Sequence, residues 1–445
     1  MLRPAVSAPV TFLIAASACL ALTLNGYRPV RDRRELLIPS FILAWIVSEL
    51  PLHVLALYAV LAAGFAYSGA VHGAPGLAGA AVMAAAAAGL FGFVGPARSA
   101  RELLDKALRE GLGEGYETGL QPDSAAPKWL FAVLPFLRVF PGVRQHLNLR
   151  YAEGAGRFHL LDVYAPVEQP ERAAVVLQIH GGGWFTGHKR QQALPMLLQL
   201  AARGFVCVSI NYRLSPRATW PEHLLDAKLA LAWIRQNIAQ YGGDPDYVLV
   251  TGGSAGGHLA AMVALTANDP RYQPGFEAVD TSVRGCVPFY GVYDFTDRHK
   301  HQRNQTMQRL IAGWVLKKRF DQAHEAFLDA SPMTHISDTA PPFFVIQGTA
   351  DTIVSVDDAR AFARMMREQS REPVVYAELP GAHHAFEILH SRRTQHVVWA
   401  VMRFLEWVCA RDRSKLGPVV DNQRPAATSA APASNPDSPS LEQPA

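Results

Sequence analysis

Two glycine-rich turns, each closing an apolar run, constrain this chain more than any other feature. The first is His180-Gly181-Gly182-Gly183-Trp184, after the run 173–179. The second is Gly252-Gly253-Ser254-Ala255-Gly256-Gly257, after Tyr247-Val248-Leu249-Val250. A G-x-S-x-G turn between a strand and a helix holds its serine in a strained conformation, and the glycines keep other side chains clear of its oxygen. A glycine loop after an earlier strand aims backbone N–H groups at the same point. One turn supplies a nucleophile and the other an oxyanion hole. Together they predict acyl transfer, and ester hydrolysis within that class. A glycine-rich turn without chemistry is the bland alternative. The strand before Ser254, the Ala/Leu-rich helix after it and the loop upstream weigh against that alternative.

A serine hydroxyl needs a base, and the base needs a carboxylate to orient it. Phe343-Phe344-Val345-Ile346-Gln347 runs into Gly348-Thr349-Ala350-Asp351, which puts Asp351 on a loop at a strand's C-terminal end, where open α/β sheets assemble their sites. Asp357 and Asp358 compete, but they fall in the following helix and are expected to be solvated. The base comes after a further strand, in Gly381-Ala382-His383-His384-Ala385-Phe386, where either histidine can serve. His180 is expected to shape its own loop, His53 to lie beside a kink, and His299 and His301 to belong to a basic surface segment. No H-E-x-x-H motif or Cys/His cluster calls for a metal, and no cofactor is expected.

The 445 residues are distributed unevenly. Residues 1–95 are dominated by Ala, Leu, Val, Gly and Phe, and the charges lie mostly beyond residue 97. Three apolar stretches, 10–24, 36–67 and 76–94, predict a transmembrane region of about three spans. The competing signal-peptide reading of the first stretch is weakened by its poor basic n-region and by the apolar segments downstream. Pro51 makes the second stretch either one kinked span or two short ones. The arginines at 28–34 and the basic residues at 98–109 belong on the cytoplasmic side. Three spans put the catalytic part there too, whereas four would reverse it. A net charge of +4 and the absence of a basic stripe interleaved with aromatics speak against nucleic acid. Cys19, Cys207, Cys286 and Cys409 lie far apart in apolar runs and read as buried small residues.

From residue 146 the pattern becomes strands alternating with helices. Strands are expected at 146–152, 159–164, 174–179, 206–211, 247–250, 285–289, 342–347 and 373–378, with the clearest helices at 222–241 and 255–267. Continuous apolar strands between amphipathic helices predict a mostly parallel sheet covered on both faces, an α/β architecture. Residues 96–145 read as a linker: a charged helix at 97–110, a Gly/Pro-rich connector at 111–127, and an aromatic segment at 128–143 suited to a membrane interface, to capping the active-site mouth or to packing against the hydrolase core. Residues 146–415 form the catalytic domain, and the Pro/Ala/Ser-rich stretch 416–445 reads as a disordered tail.

The stretch 146–408 resembles the α/β-hydrolase superfamily, in the branch of hormone-sensitive lipase and its bacterial carboxylesterases. The resemblance rests on His180-Gly181-Gly182-Gly183-Trp184, Asn211-Tyr212-Arg213-Leu214-Ser215-Pro216, Gly242-Gly243-Asp244-Pro245, the Ser254 turn, Gly348-Thr349-Ala350-Asp351 and His384-Ala385-Phe386, in that order. The order Ser254, Asp351, His384 is that of this superfamily. The resemblance implies that His384, which precedes a small residue and an aromatic, is the base. It also implies oxyanion donors at the backbone N–H groups of Gly182, Gly183 and Ala255. Gly253 departs from one subgroup, which carries Asp there. A polytopic N-terminus before such a hydrolase is also similar to isoprenylcysteine methylesterases and membrane-bound bacterial esterases. The implied activity is ester hydrolysis on a small-molecule or lipid-like ester. An amidase of the arylformamidase type and a non-catalytic membrane scaffold remain the alternatives. Segment 294–330, with Phe295, Leu310, Trp314, Phe320 and Phe327, is a candidate lid lining an acyl site, with a plain packed excursion between two strands as the alternative for most of it.

Overall fold

Runs of Val, Ile and Leu without polar alternation make strands that bury both faces. In the computed structural model, which describes residues 7–31, 33–121, 134–136, 140–301 and 306–415, they form β1 (Val143–Arg150), β2 (Leu160–Pro166), β3 (Ala173–Ile179), β4 (Val206–Ile210), β5 (Gly243–Gly253), β6 (Cys286–Phe289), β7 (Phe343–Gly348) and β8 (Val374–Leu379). These strands make one sheet in the order β1-β2-β4-β3-β5-β6-β7-β8. β2 pairs antiparallel with β1 and β4, and every pairing from β4 to β8 is parallel. Every strand expected from the sequence is found, with ends displaced by a few residues. The aromatic stretch 128–143 lies largely outside the described residues, and the tail 416–445 lies wholly outside them.

Helices cover both faces. On one face pack α7 (Glu222–Asn237), α8 (Ala255–Leu265) and α11 (Val356–Gln369). Leu224, Leu231, Ile234, Leu259, Val263 and Phe362 from these helices bury against Leu177, Ile179, Val208 and Val250 of the sheet. On the other face lie α5 (Val94–Leu112), α6 (Leu194–Ala202) and α12 (Arg392–Lys415), whose Leu104, Leu108, Leu197, Leu200, Val401 and Phe404 meet Val176, Leu249, Val287, Phe344 and Ile346. Each such side chain contributes about 1.5–3 kcal/mol when fully withdrawn from water. The charged helix at 97–110 is therefore amphipathic cover for the sheet. Its Arg101 guanidinium sits 3.4 Å over the Trp399 ring. The four cysteines carry free thiols.

The N-terminal region is a layer of its own: α1 (Ala8–Tyr27), α2 (Arg34–Glu49), α3 (Pro51–Tyr67) and α4 (Gly73–Leu90), the last running through a short turn at Phe91–Phe93 into α5. Among the described residues, two helices are long and apolar enough to cross a membrane, Ala8–Tyr27 and Gly73–Leu112. The pair Glu35–Glu49 and Pro51–Tyr67, bent by 95°, makes a third if counted as one span. Pro51 opens α3, where its missing N–H costs nothing, and the chain turns there.

Side-chain contacts fix the directions of these helices. Thr23 Oγ1 near the end of α1 donates to the Ala86 carbonyl oxygen (3.3 Å), and the Tyr27 and Phe93 rings stack at 4.2 Å, so α1 and α4 run the same way. Tyr58 Oη donates to the Cys19 carbonyl oxygen (2.8 Å) while Phe65 meets Phe12 at 5.0 Å, so α3 runs back alongside α1 in the opposite direction. α1, α3 and α4 thus form an up-down-up set. α2 lies roughly square to α3, on the side where α1 ends and α5 begins.

Candidate active site

Ser254 stands between β5 and α8 with φ 59° and ψ −122°, a region that side chains other than hydrogen rarely occupy. Such strain persists only when its surroundings impose it. Ser254 N–H donates to the Phe289 carbonyl oxygen (2.9 Å), and the Ser254 carbonyl oxygen accepts the His258 N–H (2.9 Å). The turn is thereby tied to β6 and to its own helix.

The first glycine loop leans directly on this turn. A Cβ added at Gly181 would come within 3.1 Å of the Ser254 Cβ and 2.5 Å of the Gly253 carbonyl oxygen. Gly182 has φ +115°, open to glycine alone, and its carbonyl oxygen accepts the N–H groups of Phe185 and Thr186. This reversal leaves the N–H groups of Gly182 and Gly183 without an intramolecular partner among the described residues, and the same holds for Ala255. His180 shapes the loop from beneath. Its Nδ1 faces the Gly181 carbonyl oxygen at 2.7 Å, its ring stacks on Tyr212, and burial lowers its pKa to about 4.

Asp351 and His384 meet at the ends of β7 and β8. His384 Nδ1 lies 2.7 Å from Asp351 Oδ2. The other carboxylate oxygen accepts the N–H groups of Ile353 (2.8 Å) and Val354 (2.9 Å), and Gln347 Nε2 donates to Oδ2 at 3.1 Å. Ser254, Asp351 and His384 are all buried. The neighbouring His383 is engaged elsewhere: Nδ1 faces the Ala350 carbonyl oxygen at 3.1 Å and Nε2 that of Gly26 at 3.0 Å.

The two competing carboxylates are part of α11. Asp357 pairs with Arg360 at 2.8 Å on the exposed face. Asp358, expected to be solvated, is instead buried, where it accepts the Tyr293 N–H (3.0 Å), and burial pushes its pKa up to about 8. Helix periodicity turned its side chain inward, one position beyond an exposed neighbour. The lid candidates divide in a similar way. Phe295 and Phe327 are buried, with Phe295 stacked on His258 at 4.6 Å, while Trp314 is exposed and meets Phe185 edge-on at 5.3 Å.

Residues outside every motif link the two loops. Gly181 N–H donates to Gln192 Oε1, Gln192 Nε2 donates to Tyr290 Oη (3.0 Å), and Tyr290 Oη donates to the Glu387 carboxylate. The Tyr290 ring centre lies 4.4 Å from that of His384. Burial pushes the Glu387 pKa up to about 7. The only sequence signal for this chain of bonds was position: Tyr290 directly follows β6, and Glu387 comes three residues after His384.

Among the described residues no group of His, Cys, Asp and Glu is arranged to hold a metal ion.

Comparison with known proteins places this arrangement. A family model described as BD-FAE matches residues 161–366. The chain is 42% identical to the probable carboxylic ester hydrolase LipM of Mycobacterium tuberculosis, over 92% of this chain and 96% of that one. It is 29% identical to a probable isoprenylcysteine alpha-carbonyl methylesterase of Oryza sativa subsp. japonica, over 45% of this chain and 48% of that one. Among solved structures it shares its fold with esterase B of Lactobacillus rhamnosis, at a TM-score of 0.52 and 20% identity, over 70% of this chain and 99% of that one. The eight-stranded sheet with its covering helices is accordingly the α/β-hydrolase fold, and the chain belongs to the carboxylic-ester-hydrolase family of that superfamily that includes LipM.

Proposed function

We propose that the chain hydrolyses carboxylic esters through a Ser254-His384-Asp351 triad and an acyl-enzyme intermediate. The observation that carries this reading is the 2.7 Å bond between His384 Nδ1 and Asp351 Oδ2. It fixes the ring with Nδ1 protonated and turns Nε2, on the opposite edge, to accept a proton. His384 takes the proton of Ser254, whose Oγ attacks the acyl carbon. The oxyanion that forms lies among the N–H groups of Gly182, Gly183 and Ala255, each worth roughly 2.7–4 kcal/mol to the transition state in comparable sites. As the intermediate collapses, His384 returns the proton to the departing alkoxide oxygen. A water molecule then repeats the sequence on the acyl-enzyme and frees the acid. Ser254→Ala is expected to abolish turnover of a short-chain aryl ester while the protein stays folded. Full activity in a clean preparation of that variant would refute the assignment.

The N-terminal layer supports a membrane-anchored enzyme. α1 has 20 residues, about 30 Å at 1.5 Å per residue, matching the hydrocarbon core. With α1, α3 and α4 as three crossings, α2 lies in the membrane plane beneath the catalytic domain, presenting exposed Leu36, Ile38, Ile42, Leu43 and Ile46. The arginine-rich segment joining α1 to α2 then faces the cytoplasm, and the catalytic domain with it. Because α2 lies next to the His384 loop, the favoured substrate is an amphiphilic ester presented at the bilayer surface. Assay of the vesicle-reconstituted enzyme on esters of graded chain length tests this. Equal preference for short soluble and long membrane-partitioned esters would count against it.

A further inference from the structure

The loop that carries His384 is grasped from the N-terminal layer at several points. Ala385, the next residue, has φ +62°, a left-handed conformation that its Cβ disfavours. Its carbonyl oxygen accepts the indole Nε1–H of Trp45, from α2, at 3.0 Å, and more weakly the N–H of Ile388 at 3.3 Å. On one side His383 Nε2 faces the Gly26 carbonyl oxygen at the end of α1 (3.0 Å). On the other, the Glu49 carboxylate at the end of α2 accepts Ser391 Oγ–H (2.6 Å) and pairs with the Arg393 guanidinium, with both charged side chains buried. The Phe41 ring, one helical turn before Trp45, meets the His384 imidazole edge-on at 6.0 Å.

The buried ion pair and the His383 contact fix where the loop runs. Neither fixes Ala385, the residue directly after His384, whose backbone sets how the chain leaves the imidazole-bearing position. Ala385 is strained, and the hydrogen bond from Trp45 holds its carbonyl oxygen. We propose that Trp45 is a positioning residue for His384, so that the N-terminal helical layer completes the catalytic centre as well as anchoring it. This rests on the reading of His384 as the base. Trp45 acts through the Ala385 peptide and has no part in proton transfer.

The test uses the full-length chain reconstituted in vesicles, a soluble aryl ester as substrate, and activity per folded molecule measured by circular dichroism. Trp45→Phe keeps a ring and removes the N–H. Trp45→Gln keeps an N–H donor the same number of bonds from Cβ and removes the ring. Trp45→Phe is expected to lower kcat by about 10–100-fold, in keeping with the cost of sub-ångström to ångström misplacement of a catalytic group, and to leave KM within about twofold. It should slow fluorophosphonate labelling of Ser254 by the same factor. Trp45→Gln should recover a substantial part of both rates. Unchanged kcat in Trp45→Phe, a rise in KM alone, or a Phe variant more active than the Gln variant would each overturn the proposal. Full activity in His384→Ala would instead overturn the reading on which it rests.

Discussion

His384 Nδ1 and Asp351 Oδ2 stand 2.7 Å apart, and the second oxygen of that carboxylate is held by the N–H groups of Ile353 and Val354. The carboxylate is thus oriented by its own loop, and in the proposed triad it orients the base in turn. Asp351→Asn keeps the size but places an amide where an acceptor is needed, which favours the wrong imidazole tautomer. The expected result is a fall in kcat of about 10⁴-fold with KM little changed, read by steady-state kinetics. A loss below about tenfold would show that another carboxylate orients the ring.

The proposed oxyanion loop depends on a backbone conformation open only to glycine. A Cβ at Gly182 would meet both the forbidden φ of +115° and the Thr186 carbonyl oxygen. Gly182→Ala should therefore lower kcat/KM by at least 10²-fold, the loss of about one donor. Fluorophosphonate labelling of Ser254 should slow as well.

Tyr290 lies at the centre of the hydrogen-bond chain between the two loops. Tyr290→Phe leaves the Glu387 carboxylate and Gln192 Nε2 buried without their partner. An unsatisfied buried group costs about 1–3 kcal/mol. A fall in Tm of several degrees is expected, with a smaller fall in kcat than any triad substitution gives. An unchanged Tm would mean that the chain of bonds carries no stability.

Asp358 gives the fold a pH dependence whose sign follows from its burial. Its pKa in the fold, about 8, lies above the ordinary value of 3.8. Between these values the folded protein holds a proton that the unfolded chain has lost, so stability falls as pH rises from about 4 to about 8. Asp358→Asn keeps an acceptor for the Tyr293 N–H and removes the titration. The variant should lose less stability than the wild type between pH 4 and pH 8, as read by thermal unfolding. Parallel curves for the two proteins would contradict the assignment.

Much of this was legible in the chain, for identifiable reasons. The sheet announced itself because strands buried on both faces need uninterrupted Val, Ile and Leu, as in β3 and β5. That Ser254, Asp351 and His384 stand on turns at strand ends was legible because a strand end followed by a tight turn leaves few sequences that fit. Asp358 was misread because local sequence gives a helix but not the face it buries. The contacts of Trp45, Glu49, Tyr290 and Glu387 were invisible for a different reason. Each joins segments far apart in the chain, Trp45 and Ala385 being 340 residues apart, and no local pattern encodes such a meeting. The bend at Leu50–Pro51 was legible from Pro51, whereas the placement of α2 across the histidine loop depended on the tertiary fold.

The central claim is that Ser254 becomes the acyl carrier. Treating the full-length protein with a fluorophosphonate and mapping the adduct by peptide mass spectrometry tests it most directly. The account predicts one stoichiometric adduct on Ser254, with ester turnover lost in proportion to labelling. An adduct on another residue, or turnover that persists after Ser254 is fully modified, would contradict it.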